Sequence, residues 1–121
     1  MAKSRERAAR ELLEVFDSPF LKALTEPARL DLLRVLMLHG PLDVGSLAEH
    51  VPQERSVVSR HLKILEQAGL VRVERDGKHR RVALDAGRFL AELGRIETRV
   101  RENASICCPA EPLPPPATKK R

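Results

Sequence analysis

The sequence predicts a mainly α-helical fold with one small β-hairpin, an α+β class, and three observations support this prediction. Apolar residues recur at helical spacing along most of the chain, most clearly over residues 56–68. Residues 71–84 alternate apolar and polar side chains around Asp76-Gly77, which is typical of two strands joined by a tight turn. Three phenylalanines are the only large aromatic residues, so leucine, valine and alanine must build the core, as in packed helices.

Two helical segments open the chain. Residues 4–16 are expected to form the first, because one face is apolar and consists of Ala8, Ala9, Leu12, Leu13 and Phe16. Asp17-Ser18-Pro19 interrupts this pattern. Ser18 can cap a short second segment over residues 20–24, with Pro19 in its first turn.

A third and a fourth helix follow. Thr25-Glu26-Pro27 begins a helix over residues 28–38 that is apolar nearly all round, so we expect it to be the central core helix, ended by Gly40-Pro41. Asp43 is expected to cap a short helix that Pro52 ends. Its inward residues are Val44, Leu47, Ala48 and Val51.

Residues 56–68 form the most informative helix. One face is apolar and the other carries hydrogen-bond donors; the apolar residues are Val57, Val58, Leu62 and Leu65, and the donors are Ser56, Ser59, Arg60 and Lys63. Gly69 can adopt the left-handed conformation that ends a helix, and Leu70 can fold back onto the apolar face. The short turn over residues 52–55 joins this helix to the preceding one as a helix-turn-helix. A short helix of this kind fits the major groove of DNA.

The hairpin that follows is basic. Val71–Glu74 and Val82–Leu84 read as its strands, and its tip and flanks carry Arg72, Arg75, Lys78, His79, Arg80 and Arg81. A donor-rich helix, a glycine cap and a basic hairpin, in this order, describe a winged helix-turn-helix. The hairpin is the wing, and we expect its cations to lie against the phosphate backbone.

The last helix suggests a dimer. Asp85 is expected to cap a helix over residues 86–102, whose apolar stripe consists of Ala86, Phe89, Leu90, Leu93, Ile96 and Val100. Gly94 lowers helix stability, which a close approach of another backbone would explain. The apolar stripes of the first and last helices have no obvious partner within the chain. We therefore expect a homodimer built on them, which would place two recognition helices roughly 34 Å apart.

Charge and composition narrow the class of function. The net charge is +5, and residues 53–81 alone hold eight Lys/Arg against four Asp/Glu, a distribution typical of a protein that binds duplex DNA. We find no glycine-rich phosphate loop, nucleophile elbow or acid–base pair, so we do not expect an enzyme. No apolar run is long enough to span a membrane and no secretory signal opens the chain. We therefore expect a cytoplasmic protein with reduced cysteines.

At this point the sequence resembles the ArsR/SmtB family of bacterial winged-helix repressors. The matching stretches are residues 24–30 (Leu-Thr-Glu-Pro-Ala-Arg-Leu), residues 59–71 (Ser-Arg-His-Leu-Lys-Ile-Leu-Glu-Gln-Ala-Gly-Leu-Val) and residues 82–85 (Val-Ala-Leu-Asp). The resemblance covers about residues 18–102. It implies a dimer that binds operator DNA and releases it when a metal ion or another signal binds.

The resemblance and the basic wing together give ten candidate DNA-binding residues. They are Arg55, Ser56, Ser59, Arg60, His61, Lys63, Arg75, Lys78, His79 and Arg80. For His61 an alternative stays open, in which the imidazole packs at the base of the helix. Two metal sites of the family look absent, since Asp43, Gly45 and Ser46 replace cysteine-type ligands and residues 86–102 contain no histidine. We see no ligand spacing among His39, His50 and His79.

We expect residues 1–102 to form the winged-helix domain and residues 103–121 to form a flexible, proline-rich tail. Cys107 and Cys108 in this tail are the only thiols, and two thiolates can bind a soft ion such as As(III), Sb(III), Hg(II), Cd(II) or Cu(I). Arsenite or antimonite is our first choice of inducer, although a third sulfur would have to come from a partner subunit or a small thiol. Thiol oxidation or persulfide capture is the alternative, and the two cysteines can also have no sensing role.

Two further functions compete with operator-specific repression. One is an architectural protein that binds DNA without sequence preference. The other is a winged helix that binds proteins and has lost DNA binding. Salt dependence separates the second from a repressor, because neutralising phosphates makes affinity fall steeply with salt.

Overall fold

The computed structural model of the protein describes residues 3–107 and 114–116. This part of the chain is mostly helical with a small sheet, as predicted. Its elements are α1 (Arg5–Phe16), α2 (Pro19–Ala23), α3 (Pro27–His39), β1 (Leu42–Asp43), α4 (Val44–Ala48), α5 (Arg55–Gln67), β2 (Val71–Asp76), β3 (His79–Leu84) and α6 (Ala86–Cys107). No helix in this part is both long and apolar enough to cross a membrane.

Four helices begin at a residue whose side-chain oxygen accepts a backbone hydrogen bond from the first turn. The acceptors and donors are Ser4 with Arg7 (3.1 Å), Ser18 with Leu21 (3.3 Å), Asp43 with Gly45 (3.1 Å) and Asp85 with Arg88 (3.1 Å). The last three of these caps are confirmed predictions. The end of α4 is different, because the helix stops at Ala48 and not at Pro52.

The end of α5 confirms the predicted glycine cap. Gly69 has φ +87°, and its N–H donates to the Glu66 carbonyl at 3.1 Å. The Leu70 N–H donates to the Leu65 carbonyl at 2.9 Å, so the two bonds satisfy carbonyls of the last turn. Leu70 is buried. These hydrogen bonds hold the turn after α5, and the turn sets the direction in which the chain enters the wing.

The sheet has three strands, whereas the sequence predicted only a hairpin. β1 pairs antiparallel with β3, Leu42 opposite Val82 and Asp43 opposite Arg81, and the strand order is β1-β3-β2. A strand of two residues is too short to show an alternating pattern. β1 leads directly into α4 and pairs with the edge of β3 that β2 leaves open. The sheet therefore connects the wing to the helix-turn-helix.

The hairpin turn lies one residue further on than the sequence suggested. Asp76 pairs with His79, so Gly77 and Lys78 are the central residues of the turn. Gly77 has φ +62°, and every residue with a positive φ in the described ranges is a glycine. A glycine at the first central position is the requirement of a type II′ turn, which matches the twist of the strands.

The core lies between α3, α5 and the sheet. Leu32, Leu33, Val35 and Leu36 of α3 are buried in it. The expectation that α3 is the central core helix is therefore confirmed for one face only, because three of its apolar side chains are exposed: Leu30, Leu38 and Met37, the last of them 68% exposed. α3 is therefore half core and half surface.

The first and last helices pack on each other within the chain, which corrects the expectation that their stripes have no internal partner. Ala8 of α1 and Ala104 of α6 are buried, and Phe89 and Ile96 pack against the core. Part of each stripe stays exposed, however: Leu13, Phe16, Leu90, Leu93 and Val100. A Cβ on Gly94 would meet no atom of its own chain within 4 Å, so no backbone approach from within the described chain explains this glycine.

The last helix continues to Cys107, five residues beyond the predicted end at Glu102. Residues 103–107 are therefore helical, and the expectation of a flexible tail beginning at Asn103 is wrong for them. Cys108, with residues 109–113 and 117–121, lies outside the described residues. Of the rest of the tail, the Pro114 carbonyl accepts a hydrogen bond from the Arg101 guanidinium at 2.9 Å.

Asn103 explains why the helix continues. Its side chain is fully buried, and its amide nitrogen donates to Glu11 Oε1 (3.2 Å) and to the Arg99 carbonyl (2.8 Å). Lys3 Nζ donates to Asn103 Oδ1 (2.9 Å) and to Glu11 Oε1 (2.6 Å). The Lys3 hydrogen bond, with smaller contributions from Asn103 and Arg7, lowers the pKa of Glu11 to about 2. These bonds attach the end of α6 to α1.

Candidate DNA-binding surface

Helix α5 presents its donors to solvent because its other face is fixed in the core. Val58, Leu62 and Leu65 are buried, while Ser56, Arg60 and Lys63 are exposed. The short helix α4 supports α5 from below with Val44 and Leu47, both buried. The predicted division of α5 into an apolar and a donor face is confirmed.

Six of the ten candidate residues line one groove between α5 and the wing. They are Ser56, Ser59, Arg60, Lys63, Arg75 and Arg80. Arg80 Nη2 donates to Ser59 Oγ at 2.9 Å, so the wing is joined directly to the helix. Four cations and two hydroxyls thus face the same space, and among the residues that the structure describes Glu66 is the only acidic one lining it. Such a groove attracts the phosphate backbone and offers donors to base edges.

Three candidates lie around this groove and not in it. Lys78 is exposed at the tip of the wing. His79 lies on the other side of the wing, with Nδ1 3.4 Å from Asp43 Oδ1. Arg55 begins α5 and packs over the first turn of α4, where a Cβ on Gly45 would lie 3.6 Å from Arg55 Cζ.

His61 is placed on the side of α5 that faces α3. Its Nδ1 lies 3.4 Å from Arg29 Nη1, and the imidazole is half-buried. Burial lowers the pKa of His61 below its usual 6.5, and the charge of Arg29 lowers it further. A neutral imidazole that accepts from a guanidinium belongs to the packing of α5 on α3. This placement matches the alternative in which His61 packs at the base of the helix.

Sequence reasoning missed Arg88. Its guanidinium reaches from α6 to the end of α5, 3.4 Å from the Glu66 carbonyl and 3.5 Å from the Gln67 carbonyl, and its stem covers Gly69. A cation at this end is favourable, because helix carbonyls leave partial negative charge there. Nothing local in the sequence marks this contact, since 21 residues separate the partners.

Cys107 lies at the far end of α6. Cys107 is half-buried in the last turn, and Arg5 Nη1 donates to the neighbouring Ile106 carbonyl at 3.0 Å. Cys108 is outside the described residues. Over residues 3–107 and 114–116 there is no group of three or more His, Cys, Asp or Glu that could hold a metal ion. The sequence shows no ligand spacing among His39, His50 and His79, but the fold brings the ring centroids of the first two within 4.4 Å of each other.

A helix-turn-helix followed by a basic, sheet-forming wing defines a winged helix-turn-helix protein. The family model for bacterial regulatory proteins of the ArsR family matches residues 26–73, which contain α3, α4 and α5. A crystal structure titled as a possible transcriptional regulator for arsenical resistance is 33% identical, with a TM-score of 0.57 over 67% of this chain and 83% of that one. The chain belongs to the ArsR family of transcriptional regulators.

Two further proteins are similar. The HTH-type transcriptional regulator NmtR of Mycobacterium tuberculosis is 45% identical over 58 residues, 48% of each chain. The homodimeric winged helix-turn-helix domain of a possible ArsR-family regulator from Mycobacterium bovis shares the fold at 22% identity, with a TM-score of 0.55 over 83% of this chain and 90% of that one. The chain spans between about half and just under two thirds of the length of the curated relatives it matches.

Proposed function

We propose that the protein is a homodimeric repressor that binds operator DNA through α5 and the wing. The groove that contains Ser56, Ser59, Arg60, Lys63, Arg75 and Arg80 carries this proposal. Its cations come from two elements that are far apart in sequence and are joined by the Arg80–Ser59 hydrogen bond. Helix and wing therefore meet DNA as one rigid unit.

We assign base contacts to residues of α5 and phosphate contacts to residues of the wing. Arg60 and Lys63 are exposed on the outer face of α5, where a helix in the major groove meets base edges. A guanidinium can donate two hydrogen bonds to guanine, which gives Arg60 a role in sequence recognition. Arg75 in the groove and Lys78 at the tip of the wing would contact phosphates, which position the protein without reading sequence.

The exposed apolar residues of α1 and α6 support a dimer. Leu13 and Phe16 of α1 and Leu90, Leu93 and Val100 of α6 are large apolar side chains left at the surface of one chain. Burying them against a second copy removes this surface from water. The two-fold axis of such a dimer would present two copies of α5 to successive major grooves.

The DNA proposal is tested with an operator selected by the wild-type protein from random duplexes. Fluorescence anisotropy then compares the wild type, Arg60→Ala and Lys22→Ala. Lys22 is a matched cation on α2, outside the groove and paired with Asp17. We expect Arg60→Ala to weaken operator binding by about ten- to a hundredfold, corresponding to about 1–3 kcal/mol, and Lys22→Ala to have no comparable effect.

Random duplex DNA and a salt series separate the competing functions. A repressor loses affinity steeply with salt and prefers its operator, and Arg60→Ala reduces that preference. Equal loss on operator and random DNA in Arg60→Ala would identify Arg60 as a phosphate contact, and equal affinity of the wild type for both DNAs would identify an architectural binder. Binding that is absent, or that ignores salt, would rule out the DNA proposal.

We propose further that a thiophilic ion, with arsenite or antimonite first, binds Cys107 and Cys108 and releases the DNA. Support comes from the course of α6, which begins with the Arg88 contact to α5, carries the exposed stripe and ends at Cys107. Two thiolates from neighbouring residues are a donor pair that suits one soft ion. Binding there changes the end that Asn103 and Arg5 attach to α1, and typical coupling is about 1–3 kcal/mol.

The inducer is tested by titrating the protein–operator complex with As(III), Sb(III), Cd(II), Hg(II), Zn(II) and a persulfide donor. Release by one soft ion in the wild type, and no release in Cys107→Ser/Cys108→Ser, supports the proposal. Release by the persulfide donor alone supports the redox alternative. Equal response of both proteins excludes the two cysteines as the sensor.

A further inference from the structure

We propose that His39 and His50 form a separate surface site for a divalent transition-metal ion. His39 is the last residue of α3, and His50 follows the end of α4. The two imidazole rings have centroids 4.4 Å apart and planes tilted by 46°. Both side chains are exposed, so an ion can reach them from solvent.

The hydrogen bonding of His50 fixes which nitrogen is available. Its Nδ1 lies 2.9 Å from the Ser46 carbonyl oxygen, which can only accept, so Nδ1 carries the proton. In the neutral ring Nε2 then holds a free lone pair. A ligand histidine whose other nitrogen donates to a carbonyl is the usual arrangement in metal sites, because the bond orients the ring and raises its basicity.

The surroundings of His39 also favour a cation. It lies in the last turn of α3, where unpaired carbonyls leave partial negative charge. Metal–nitrogen bonds are about 2.0–2.1 Å long for zinc, and a centroid separation of 4.4 Å keeps the two rings close enough for one nitrogen of each to approach the same ion.

The ligand set selects the ion. Imidazole nitrogen suits Cu(II), Ni(II) and Zn(II), and the general order of affinity places Cu(II) first. No group of three or more candidate ligands occurs in the described ranges, and water can fill the positions that the two imidazoles leave. The site is therefore open and distinct from the thiols, which would take softer ions.

Binding would connect the ends of two helices of the DNA-binding half. An ion held by His39 and His50 fixes the end of α3 to the end of α4, the first helix of the helix-turn-helix. Because the unfolded chain does not hold the two rings together, the ion stabilises the folded state by mass action.

The test uses the full chain with Cys107→Ser/Cys108→Ser, so that thiols do not compete. Calorimetry with Cu(II), Ni(II) and Zn(II) measures affinity and stoichiometry, and thermal unfolding measures stabilisation. We expect one ion per chain, a rise in Tm, and an affinity loss of about tenfold or more in each of His39→Gln and His50→Gln. His79→Gln, which changes an exposed histidine elsewhere, is the matched control. The electron paramagnetic resonance spectrum of bound Cu(II) should show coupling to two nitrogens, reduced to one in either variant.

Three results would overturn the proposal: no binding by the parent protein, undiminished binding by both variants, or an equal loss in His79→Gln. Circular dichroism is the check on folding, and each variant should keep the parent spectrum because both rings are exposed. Operator binding is measured for the same proteins without added metal, and its affinity should be unchanged in His39→Gln and His50→Gln. Failure of the metal site is thereby separate from failure of the repressor proposal.

Discussion

Arg80 on the wing and Ser59 on α5 are joined by a hydrogen bond of 2.9 Å from Nη2 to Oγ. Ser59 accepts in this bond, so its own hydroxyl proton stays free to donate to an acceptor in the groove. The bond also links the two elements that we propose to contact DNA. Arg80 thus has two roles, as a cation of the groove and as the link that positions the wing.

Arg80→Ala should weaken operator binding by more than the loss of one phosphate contact, because the wing also loses its link to α5. A double-mutant cycle with Ser59→Ala, measured by anisotropy, should give a coupling energy of about 0.5–3 kcal/mol, as for residues in direct contact. Additive effects of the two changes would show that the hydrogen bond does not contribute to binding.

Gly69→Ala should destabilise the protein by about 1–3 kcal/mol, measured by chemical denaturation. Gly69 has φ +87°, and a Cβ there would lie 2.9 Å from Arg88 Nε. Gly87→Ala is the control, because its Cβ meets only Asp85 Oδ1 at 3.9 Å and a helical alanine is favoured over glycine. Equal stability of the wild type and Gly69→Ala would contradict the described turn.

Glu11 should make stability depend on acid pH. Its folded pKa is about 2, below the ordinary value of 4.5, so its contribution is present above about pH 4.5 and is lost as pH falls toward 2. The Tm difference between the wild type and Glu11→Gln should therefore shrink over this window. Glu14→Gln on the same helix, outside the Lys3 and Asn103 hydrogen bonds, is the control and should not reproduce the effect. A constant difference from pH 5 to 2 would argue against the lowered pKa.

His61 should make stability depend on pH nearer neutrality than Glu11 does. Burial and Arg29 lower its folded pKa below 6.5, so the folded state binds fewer protons than the unfolded state. Stability contributed by neutral His61 is therefore complete above about pH 6.5 and falls as pH drops through that value. His61→Gln should flatten this part of the pH profile of Tm. If it instead lowers operator affinity with no change in the profile, the imidazole acts at the DNA.

Substitutions of Gly94 test whether the exposed stripe of α6 forms the dimer interface. Gly94 lies on α6 beside Leu90 and Leu93, and no atom of the described residues lies within 4 Å of its Cβ position. We expect Gly94→Arg to raise the dimer dissociation constant at least tenfold in analytical ultracentrifugation and Gly94→Ala to have a smaller effect, because a large cation must be desolvated in the apolar contact. A Gly94→Arg protein with the wild-type dissociation constant would place the dimer interface elsewhere.

Local chemistry determined much of this fold from sequence. Ser18, Asp43 and Asp85 act as caps within three residues of their donors, and Gly69 and Gly77 supply positive φ where the chain turns. The two faces of α5 follow from the spacing of Val58, Leu62 and Leu65. These features depend on interactions between near neighbours, which a sequence shows directly.

Tertiary structure decided the rest, because the contacts involved join residues far apart in the chain. Asn103 looked like the start of a tail, yet bonds to Glu11 and Lys3 bury it and extend α6 to Cys107. The same reason applies to β1, Arg88, and the approach of His39 to His50. The sequence therefore determined which helix presents donors, and only the folded chain determined what supports that helix and which side chains share its groove.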